Sequence, residues 1–393
     1  MISDRRLRSI DAYRGLVMFL MLAEVLEFAR VSKALPTSRF WAFLASQQEH
    51  VQWVGCSLHD LIQPGFSFLV GVALPFSIAG RLDRGQSRAR MIGHAFWRAF
   101  LLVFLGIFLR SMGKSQTNFT FEDTLTQIGL GYPFLYVLGL RPRRDQWVVL
   151  AIVLVGYWAA FALWPLPGTD FDYSAVDVRE GWLKQHGLGG FAAHWNKNSN
   201  LAWAFDVSFL NVFPRVKPFA FNGGGYATLS FIPTLGTMIL GLLAGGVLRS
   251  PESPARKVAW LAIAGLICLA LGHTLGWLGV CPVVKRIWTP SWTLFSGGWC
   301  FLFLTFLHLT TDMIGRAGWS MPLIVIGSNS IAAYVMSWTI KEGTAANLKR
   351  HLGKETFSVL GEPYEPLLEG MAVLLVLWLI LLWMYRRKLF LRI

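Results

Sequence analysis

Two histidines and one aspartate lie close together in the segment His50–Phe66, where a polar stretch leads into a long apolar one. His50, His59 and Asp60 stand at the entrance to an apolar run that continues to Ala79. Ionisable groups at the edge of a membrane span are costly and usually have a function. A histidine beside a carboxylate is the simplest proton-handling pair near neutral pH. The spacing leaves open whether His50, His59 or neither touches Asp60, and a surface histidine without a role is the alternative.

The composition of the chain is that of a membrane protein. Of its 393 residues, 54% are hydrophobic and 15% are charged, whereas a soluble domain carries roughly 25% charged residues. Apolar runs of about 18 or more residues, the length that crosses a bilayer core, recur along the sequence. We therefore predict an all-α polytopic membrane protein, a bundle of about ten transmembrane helices. The predicted spans are about 14–33, 61–80, 92–110, 124–140, 146–164, 229–248, 258–279, 292–311, 321–339 and 369–385.

The net charge of +14 is distributed in a way that argues against nucleic-acid binding. Basic residues gather in short alternate loops, all on one side of the predicted bundle, which is the positive-inside pattern. We predict one transmembrane domain, 1–393, with both termini cytoplasmic and outer loops 34–59, 166–228 and 341–368 capping the site. A short helix is expected near 342–351. The basic clusters are Arg5, Arg6 and Arg8; Arg81, Arg84, Arg88 and Arg90; Arg141, Arg143 and Arg144; Arg249, Arg256 and Lys257; and Arg386, Arg387 and Lys388.

Polar side chains in the predicted spans each allow a structural and a functional interpretation. Arg14 lies one turn after Asp11 at the start of the first span, where an interfacial ion pair is the simpler explanation and an anionic ligand the alternative. Arg98, inside the third span, can snorkel to the surface or meet a phosphate. Gln127, inside the fourth span, is either a tie between helices or part of a polar path.

Further polar and aromatic residues lie toward the predicted outer side. Lys285 is unexpected on a side that is poor in basic residues, whereas the nearby Trp288 is typical of interfacial anchoring. Asn329 and Ser330 lie inside the ninth predicted span, where close helix packing is the alternative to orienting a ligand carbonyl. The four cysteines show no metal-ligand spacing, and no metal is predicted.

Several motifs, in order along nearly the whole chain, are similar to those of a known family. They are RLRSIDAYRG at the start, H-x-x-W-x-G-x-x-x-x-D-L-x-x-P at 50–64, TQIGLGY at 126–132, TLGTMILGLLAG at 234–245, P-x-x-K-x-x-W-T-P-S at 282–291, GSNSIAAYV at 327–335 and the ending YRRKLFLRI. Each motif alone is weak, but their order and spacing are specific. On these residues the chain resembles the membrane domain of heparan-α-glucosaminide N-acetyltransferases and their bacterial relatives, part of a broader group of transmembrane acyltransferases.

The resemblance implies transfer of an acetyl group from cytoplasmic acetyl-CoA to an amino sugar or glycan hydroxyl on the far side of the membrane. The family's catalytic histidine corresponds to His50 and its helix-start aspartate to Asp60, with His59 as the catalytic alternative. The imidazole takes the proton of the attacking group or accepts the acetyl group itself. The carboxylate holds the other ring nitrogen and stabilises the imidazolium.

Residues for binding the two substrates follow from charge and from the resemblance. The polyanionic donor is expected at the basic cytoplasmic side, where Arg14, Arg98 and Gln127 are the predicted acyl-CoA-binding residues. On the acceptor side, the animal enzymes carry an asparagine where Val25 aligns here, with Glu24 beside it. The residues predicted on the acceptor side are Glu24, Lys285, Trp288, Asn329 and Ser330.

The sequence does not name the acceptor. Because the departures from the family lie on the acceptor side and the chain is shorter than the animal enzymes, we expect a bacterial cell-envelope glycan and a location in the bacterial inner membrane. The predicted partners are acetyl-CoA, the glycan or amino-sugar acceptor and the lipid bilayer, without nucleic acid, and a homodimer is left open. A transporter or flippase of a sugar or lipid-linked sugar is the alternative, which acetyl-CoA binding would exclude.

Overall fold

The computed structural model describes residues 7–316 and 318–391, where the regular elements are helices apart from an isolated bridge between Val54 and Val284. Arg5, Arg6 and the last two residues of the YRRKLFLRI ending lie outside the described residues. The α-helices of the described ranges are α1 (Arg8–Leu22), α2 (Phe28–Ala34), α3 (Arg39–Gln48), α4 (Ile62–Leu82), α5 (Arg88–Ser111), α6 (Thr124–Gly139), α7 (Arg143–Ala162), α8 (Glu180–His186), α9 (Leu201–Phe209), α10 (Phe231–Arg249), α11 (Pro254–Trp277), α12 (Pro290–Leu307), α13 (Met321–Gly327), α14 (Ser330–Thr339), α15 (Lys341–Leu352) and α16 (Glu365–Arg386).

Within the described part of the chain, 7 helices are long and apolar enough to cross a membrane, and the pair α13–α14, bent by 77° at its break, would make an eighth. The first and fourth predicted spans contain the shorter helices α1 and α6, of 15 and 16 residues. The all-α polytopic membrane class is therefore confirmed, while the count of about ten spans stays a prediction. The long helices are His59–Leu82, Arg88–Ser111, Arg143–Ala162, Thr228–Arg249, Pro254–Trp277, Pro290–Met313 and Glu362–Arg386.

Contacts within the chain define two compact units. The first comprises the chain up to Val51, the segment Cys56–Gly65 and the chain from Phe303 onward. The second comprises Gln52–Gly55 and Phe66–Leu302. The first unit thus holds α1–α3 and α13–α16, and the second holds α5–α11 with most of α4 and α12. A single transmembrane domain over the whole chain stays a prediction.

In the first unit, glycines let two helices approach each other at backbone distance. A Cβ on Gly15 of α1 would collide with the carbonyl oxygen of Leu323 in α13. A Cβ on Gly327 of α13 would collide with the carbonyl oxygen of Asp11 in α1. Small residues at such crossings are typical of helix packing in membranes. The first half of α1 is therefore in backbone contact with α13.

In the second unit, α10 is the central helix. It is almost wholly buried, whereas α7 and α11 are mainly exposed. A Cβ on Gly71 of α4 would collide with the carbonyl oxygen of Met238, and one on Gly241 of α10 with that of Phe68. The backbones of α4 and α10 are therefore in contact, and the exposed apolar faces of the outer helices suit a lipid environment.

The predicted outer loops 341–368 and 166–228 contain structure of their own. The helix expected near 342–351 is α15, so that prediction is confirmed. The segment 166–228 contains α8 and α9. In an aromatic cluster of the second unit, the indole N–H of Trp53 donates to the carbonyl of Trp195 over 3.1 Å. That these loops cap a site stays a prediction.

The segment 34–59, predicted as an outer loop, contains the helix α3. The side chain of Ser38 caps its first turn by accepting a hydrogen bond from the N–H of Trp41. The prediction missed this helix because its ten residues, of which the last three are polar, are too few for a span. The carboxyl end of α3 carries two glutamines that lead directly to His50.

Candidate functional site

His50 and Asp60 form a close pair in the first unit. Nδ1 of His50 lies 2.7 Å from Oδ1 of Asp60, and the aspartate is buried whereas 37% of the histidine side chain is exposed. The other carboxylate oxygen accepts hydrogen bonds from the N–H of Val51 at 3.3 Å and from the N–H and hydroxyl of Ser57, each at 3.0 Å. The carboxylate is therefore held in one orientation, and of the two histidines His50 is the one that it holds.

This geometry sets the tautomer of His50. A carboxylate beside Nδ1 favours the imidazole that carries its proton on Nδ1, so that Nε2 is the basic nitrogen. When Nε2 takes up a second proton, the adjacent carboxylate stabilises the imidazolium. The pair therefore has the geometry of a general base with its orienting group, on a side chain that is partly open to its surroundings.

His59 belongs to a second histidine–carboxylate pair. Its Nε2 lies 3.3 Å from Oε1 of Glu24, whose other oxygen lies 3.7 Å from Nζ of Lys341 in α15. The rings of His59 and His50 are neighbours, with centroids 4.5 Å apart and planes tilted by 47°. Glu24 and His59, predicted separately as an acceptor-side residue and as a catalytic alternative, are thus brought together beside His50.

The turn that carries Glu24 is fixed by the side-chain amide of Gln48. The nitrogen of this amide donates to the carbonyl of Ala23 over 2.7 Å, and its oxygen accepts from the N–H of Phe28 over 2.9 Å. Between these two points the chain reverses at Glu27, which has the left-handed backbone conformation with φ of 45°. One glutamine of α3 therefore holds both ends of the turn.

The neighbouring Gln47 holds the segment that carries His59. Its side-chain oxygen accepts a hydrogen bond from the N–H of Leu58 over 3.1 Å. Asp60 lies in the 3-10 turn His59–Leu61 that leads into α4. Adjacent residues at the end of α3 thus anchor the two segments from which Glu24 and His59 project.

On the predicted donor side, Arg14 makes the ion pair that its spacing from Asp11 suggests. Nη1 of Arg14 lies 3.5 Å from Oδ1 of Asp11, with both residues in α1. The same unit contains a cavity of about 430 Å³ that includes Asp11 in its wall. The other residues that line this cavity are Arg8, Gly318, Met321, Ile324, Ser328 and Tyr385. An interaction of Arg14 with the donor stays a prediction.

Arg98 and Gln127 lie in the second unit and bind neighbouring protein groups. Arg98 donates to the hydroxyl of Tyr132 over 3.2 Å, and its guanidinium lies 4.8 Å from the centre of that ring. The amide of Gln127 donates to the carbonyls of Phe121 and Thr228 over 2.6 and 3.2 Å. Gln127 therefore ties α6 to its neighbours, the structural one of its two interpretations.

Lys285 and Trp288 are both buried in the second unit. They lie in one tight turn, in which the N–H of Trp288 donates to the carbonyl of Lys285 over 2.8 Å. The indole N–H of Trp288 donates to the hydroxyl of Thr237 in α10 over 3.1 Å. Trp288 is thus part of the packed interior, and a role of either residue toward the acceptor stays a prediction.

Asn329 and Ser330 form the break between α13 and α14. The amide of Asn329 donates to the carbonyl of Leu389 over 2.8 Å and accepts from the N–H of Leu391 over 3.0 Å. The hydroxyl of Ser330 donates to the carbonyl of Gly327 over 2.9 Å. Asn329 thus binds the backbone that follows α16 and Ser330 binds that of α13, and a role of either residue toward the acceptor stays a prediction.

Comparison with known proteins adds to this geometry. No protein-family model matches the chain. Over 99% of its length the chain is 26% identical to the heparan-alpha-glucosaminide N-acetyltransferase of Homo sapiens, and over 85% it is 25% identical to that of Mus musculus. The chain is thus similar to heparan-α-glucosaminide N-acetyltransferases along most of its length. It spans 60% of the length of the human relative and 53% of that of the mouse relative.

The sequence interpretation missed the residues that support the ionisable cluster around His50. These are Gln47, Gln48, Ser57 and Lys341, which hold the backbone or contact a carboxylate. The two adjacent glutamines shortly before His50 could have pointed to these supporting contacts. A glutamine side chain can donate and accept at once, and so can bridge two backbone groups.

A buried acid also lies in the predicted outer segment 166–228. Asp206, in α9, accepts a hydrogen bond from the N–H of Thr228 over 2.9 Å. Burial raises the pKa of Asp206 to about 6, an effect that the hydrogen bonds from Thr228 only partly offset. The sequence interpretation did not single out this residue, since its burial depends on how the segment folds.

Proposed function

We propose that this protein is a membrane acetyltransferase that moves an acetyl group from acetyl-CoA to an amino or hydroxyl group of a sugar. The observation that carries this proposal is the contact of 2.7 Å between His50 and Asp60, inside the H-x-x-W-x-G-x-x-x-x-D motif. The names of the two relatives, both N-acetyltransferases, support the reaction class. Seven long apolar helices among the described residues support a location in a membrane.

In the proposed reaction His50 is the general base. Its Nε2 takes a proton from the attacking nitrogen or oxygen as this atom bonds to the thioester carbonyl carbon. Asp60 stabilises the imidazolium, and the proton passes to the CoA sulfur as the carbon–sulfur bond breaks. A positioned base of this kind contributes about 10²–10⁴-fold to the rate. Direct transfer of this type needs no covalent acetyl-enzyme.

The donor is proposed to enter from the cytoplasmic side. Acetyl-CoA is polyanionic, and the basic loops of the chain are predicted to lie on that side. Guanidinium groups suit phosphate oxygens, so Arg14 and Arg98 are the proposed contacts of the nucleotide. The cavity beside Asp11 and Arg8 supports a polar binding region near the start of α1.

The acceptor is proposed to be a glycan on the extracytoplasmic side, and a bacterial cell-envelope glycan is the form that we favour. The local chemistry near His50 supports an acceptor different from that of the animal enzymes. Glu24, beside the position where those enzymes carry an asparagine, faces the second histidine here. The bacterial inner membrane is the corresponding proposed location.

The test uses purified protein in liposomes with labelled acetyl-CoA on one side and an amino-sugar glycoside on the other. The proposal predicts stoichiometric release of CoA and formation of acetylated sugar. His50→Gln should abolish both, while the exposed histidine of α15, changed in His351→Gln, should have no effect. A transporter would instead move sugar across the membrane without consuming acetyl-CoA, and that result would replace the proposal.

A further inference from the structure

Glu24 and His59 form a proton-accepting pair that the single-base reaction does not use. Their side chains are 3.3 Å apart, with 40% of Glu24 and 10% of His59 exposed. The histidine is thus enclosed and the carboxylate is accessible. The ring of His59 lies beside that of His50, the proposed base, at a centroid distance of 4.5 Å. Two histidine–carboxylate pairs therefore stand side by side in the first unit.

Several constraints hold this second pair in place. Gln48 fixes both ends of the turn that carries Glu24, and Gln47 fixes the backbone just before His59. Gly370 of α16 approaches so closely that a Cβ would collide with the carbonyl oxygen of Val25. A surface ion pair without function does not need such support, since its contribution to stability is about 0–1 kcal/mol.

Proton counting gives the second pair a chemical role. An amine acceptor is an ammonium ion at neutral pH and must become an amide, R–NH3⁺ + CH3CO–SCoA → R–NHCOCH3 + HSCoA + H⁺. Two protons leave nitrogen, one reaches the CoA sulfur, and the other must leave the site. A hydroxyl acceptor loses a single proton, which goes to sulfur. A proton acceptor beside His50 therefore has a use for an amine that binds as the ammonium ion, and none for a hydroxyl.

We propose that Glu24, oriented by His59, takes the first proton of the ammonium acceptor and so delivers a neutral amine to His50. This inference rests on the proposed acetyltransferase function and adds to it a second base, which acts on amine acceptors. The proton passes from nitrogen to the Glu24–His59 pair and then to solvent at the exposed carboxylate. The amine nitrogen next bonds to the thioester carbon, while its second proton goes through His50 to the departing sulfur.

The charges around Glu24 are compatible with this role. Nζ of Lys341 lies 3.7 Å from Oε2 of Glu24, the carboxylate oxygen that does not face His59. Because an opposite charge at this distance stabilises the ion, Lys341 favours the anionic carboxylate between turnovers. An incoming ammonium ion would compete with Lys341 for this oxygen. The titratable and charged groups nearest to the pair are Lys341 and His50, the latter paired with Asp60. Further away on the adjoining elements, Glu27 pairs with Arg30 of α2. Lys349 of α15 pairs with Glu365 and Glu369 of α16.

The test compares Glu24→Gln and His59→Gln with Glu27→Gln as the matched control. Glu27 is an acid three residues further along that pairs with Arg30 at the surface. Each purified variant is assayed with acetyl-CoA and a glucosamine glycoside from pH 6 to pH 10, so that the amine passes from charged to neutral. We expect Glu24→Gln to lower kcat/KM about 100-fold at the acid end, and the loss to vanish at the alkaline end. His59→Gln should lose less, and Glu27→Gln should stay within about twofold of wild type throughout.

A loss in Glu24→Gln that is the same at every pH would mean a structural role and would overturn the proposal, as would no loss at all. Wild-type transfer to hydroxyl acceptors but not to amines would also overturn it, while leaving the acetyltransferase function intact. Wild-type protein that binds acetyl-CoA and transfers its acetyl group to neither would refute both. Acetyl-CoA binding by each variant, measured by calorimetry, shows that the fold is retained.

Discussion

Asp60→Asn is expected to inactivate the protein while leaving it folded. Oδ2 of Asp60 accepts hydrogen bonds from the N–H of Val51 and from the N–H and hydroxyl of Ser57. The amide oxygen of an asparagine must take this place, because an NH2 group cannot accept hydrogen bonds. The NH2 group then faces Nδ1 of His50, 2.7 Å away in the native protein. His50 must then carry its proton on Nε2, the nitrogen proposed to act as the base.

The size of the effect follows from the loss of this tautomer. The corresponding change in the serine-protease triad lowers kcat by about 10⁴-fold. A loss of 10³–10⁴-fold is about 4–5.5 kcal/mol of transition-state stabilisation. We expect a loss in this range for kcat of Asp60→Asn, measured as the release of CoA thiol from acetyl-CoA in the presence of an amino-sugar glycoside. The Kd of acetyl-CoA should change by less than about threefold, because the change leaves the donor's phosphate contacts intact.

Ser57→Ala is the matched control for this prediction. It removes the hydroxyl, which donates to Asp60 and to the carbonyl of Glu49, but keeps the carboxylate and the N–H of residue 57. A typical hydrogen bond contributes about 0.5–1.5 kcal/mol net, so kcat should fall by about tenfold or less. If Asp60→Asn retained more than a tenth of wild-type kcat, the tautomer argument for His50 would be wrong.

Three other changes have defined expected outcomes. Gly370→Val should lower the thermal midpoint, since overpacking against Val25 costs about 1–3 kcal/mol, whereas Gly156→Val, which meets open space, should not. Because burial raises the pKa of Asp206 from 3.8 to about 6, the folded protein should lose about 3 kcal/mol of stability as the pH rises through 4–6. Asp206→Asn should therefore be more heat-stable than wild type at pH 8 and similar to it at pH 4, in thermal scans at both pH values. Arg98→Ala should weaken acetyl-CoA binding about tenfold in calorimetry with a smaller effect on kcat at saturating donor, and an unchanged Kd would exclude Arg98 from the donor site.

Much of the fold could be predicted from sequence because membrane helices are encoded locally. An apolar run long enough for the bilayer specifies a helix wherever it occurs, and each predicted span overlaps helix in the structure. The break at Asn329 was not predicted. At this break Asn329 binds the backbone of Leu389, a long-range contact that local hydropathy does not reveal.

The candidate site was only partly predictable for the same reason. His50 and Asp60 are ten residues apart in one segment, so a loop that folds back brings them together. The partner of His59 lies in a different segment, and its position depends on the left-handed turn at Glu27 and on the amide of Gln48. A left-handed turn at a residue other than glycine cannot be predicted from sequence spacing, because such residues rarely adopt a positive φ.

The most direct measurement is single-turnover acetyl transfer by wild type and His50→Gln at equal occupancy with acetyl-CoA. Calorimetry first establishes the Kd of acetyl-CoA for both proteins, and labelled acetyl-CoA then reports the rate of acetyl-sugar formation. We predict the same Kd within about threefold and a rate at least about 100-fold lower in the variant, as expected for loss of a general base. A variant that binds acetyl-CoA equally well and transfers its acetyl group at more than a tenth of the wild-type rate would contradict the assignment of His50 as the base.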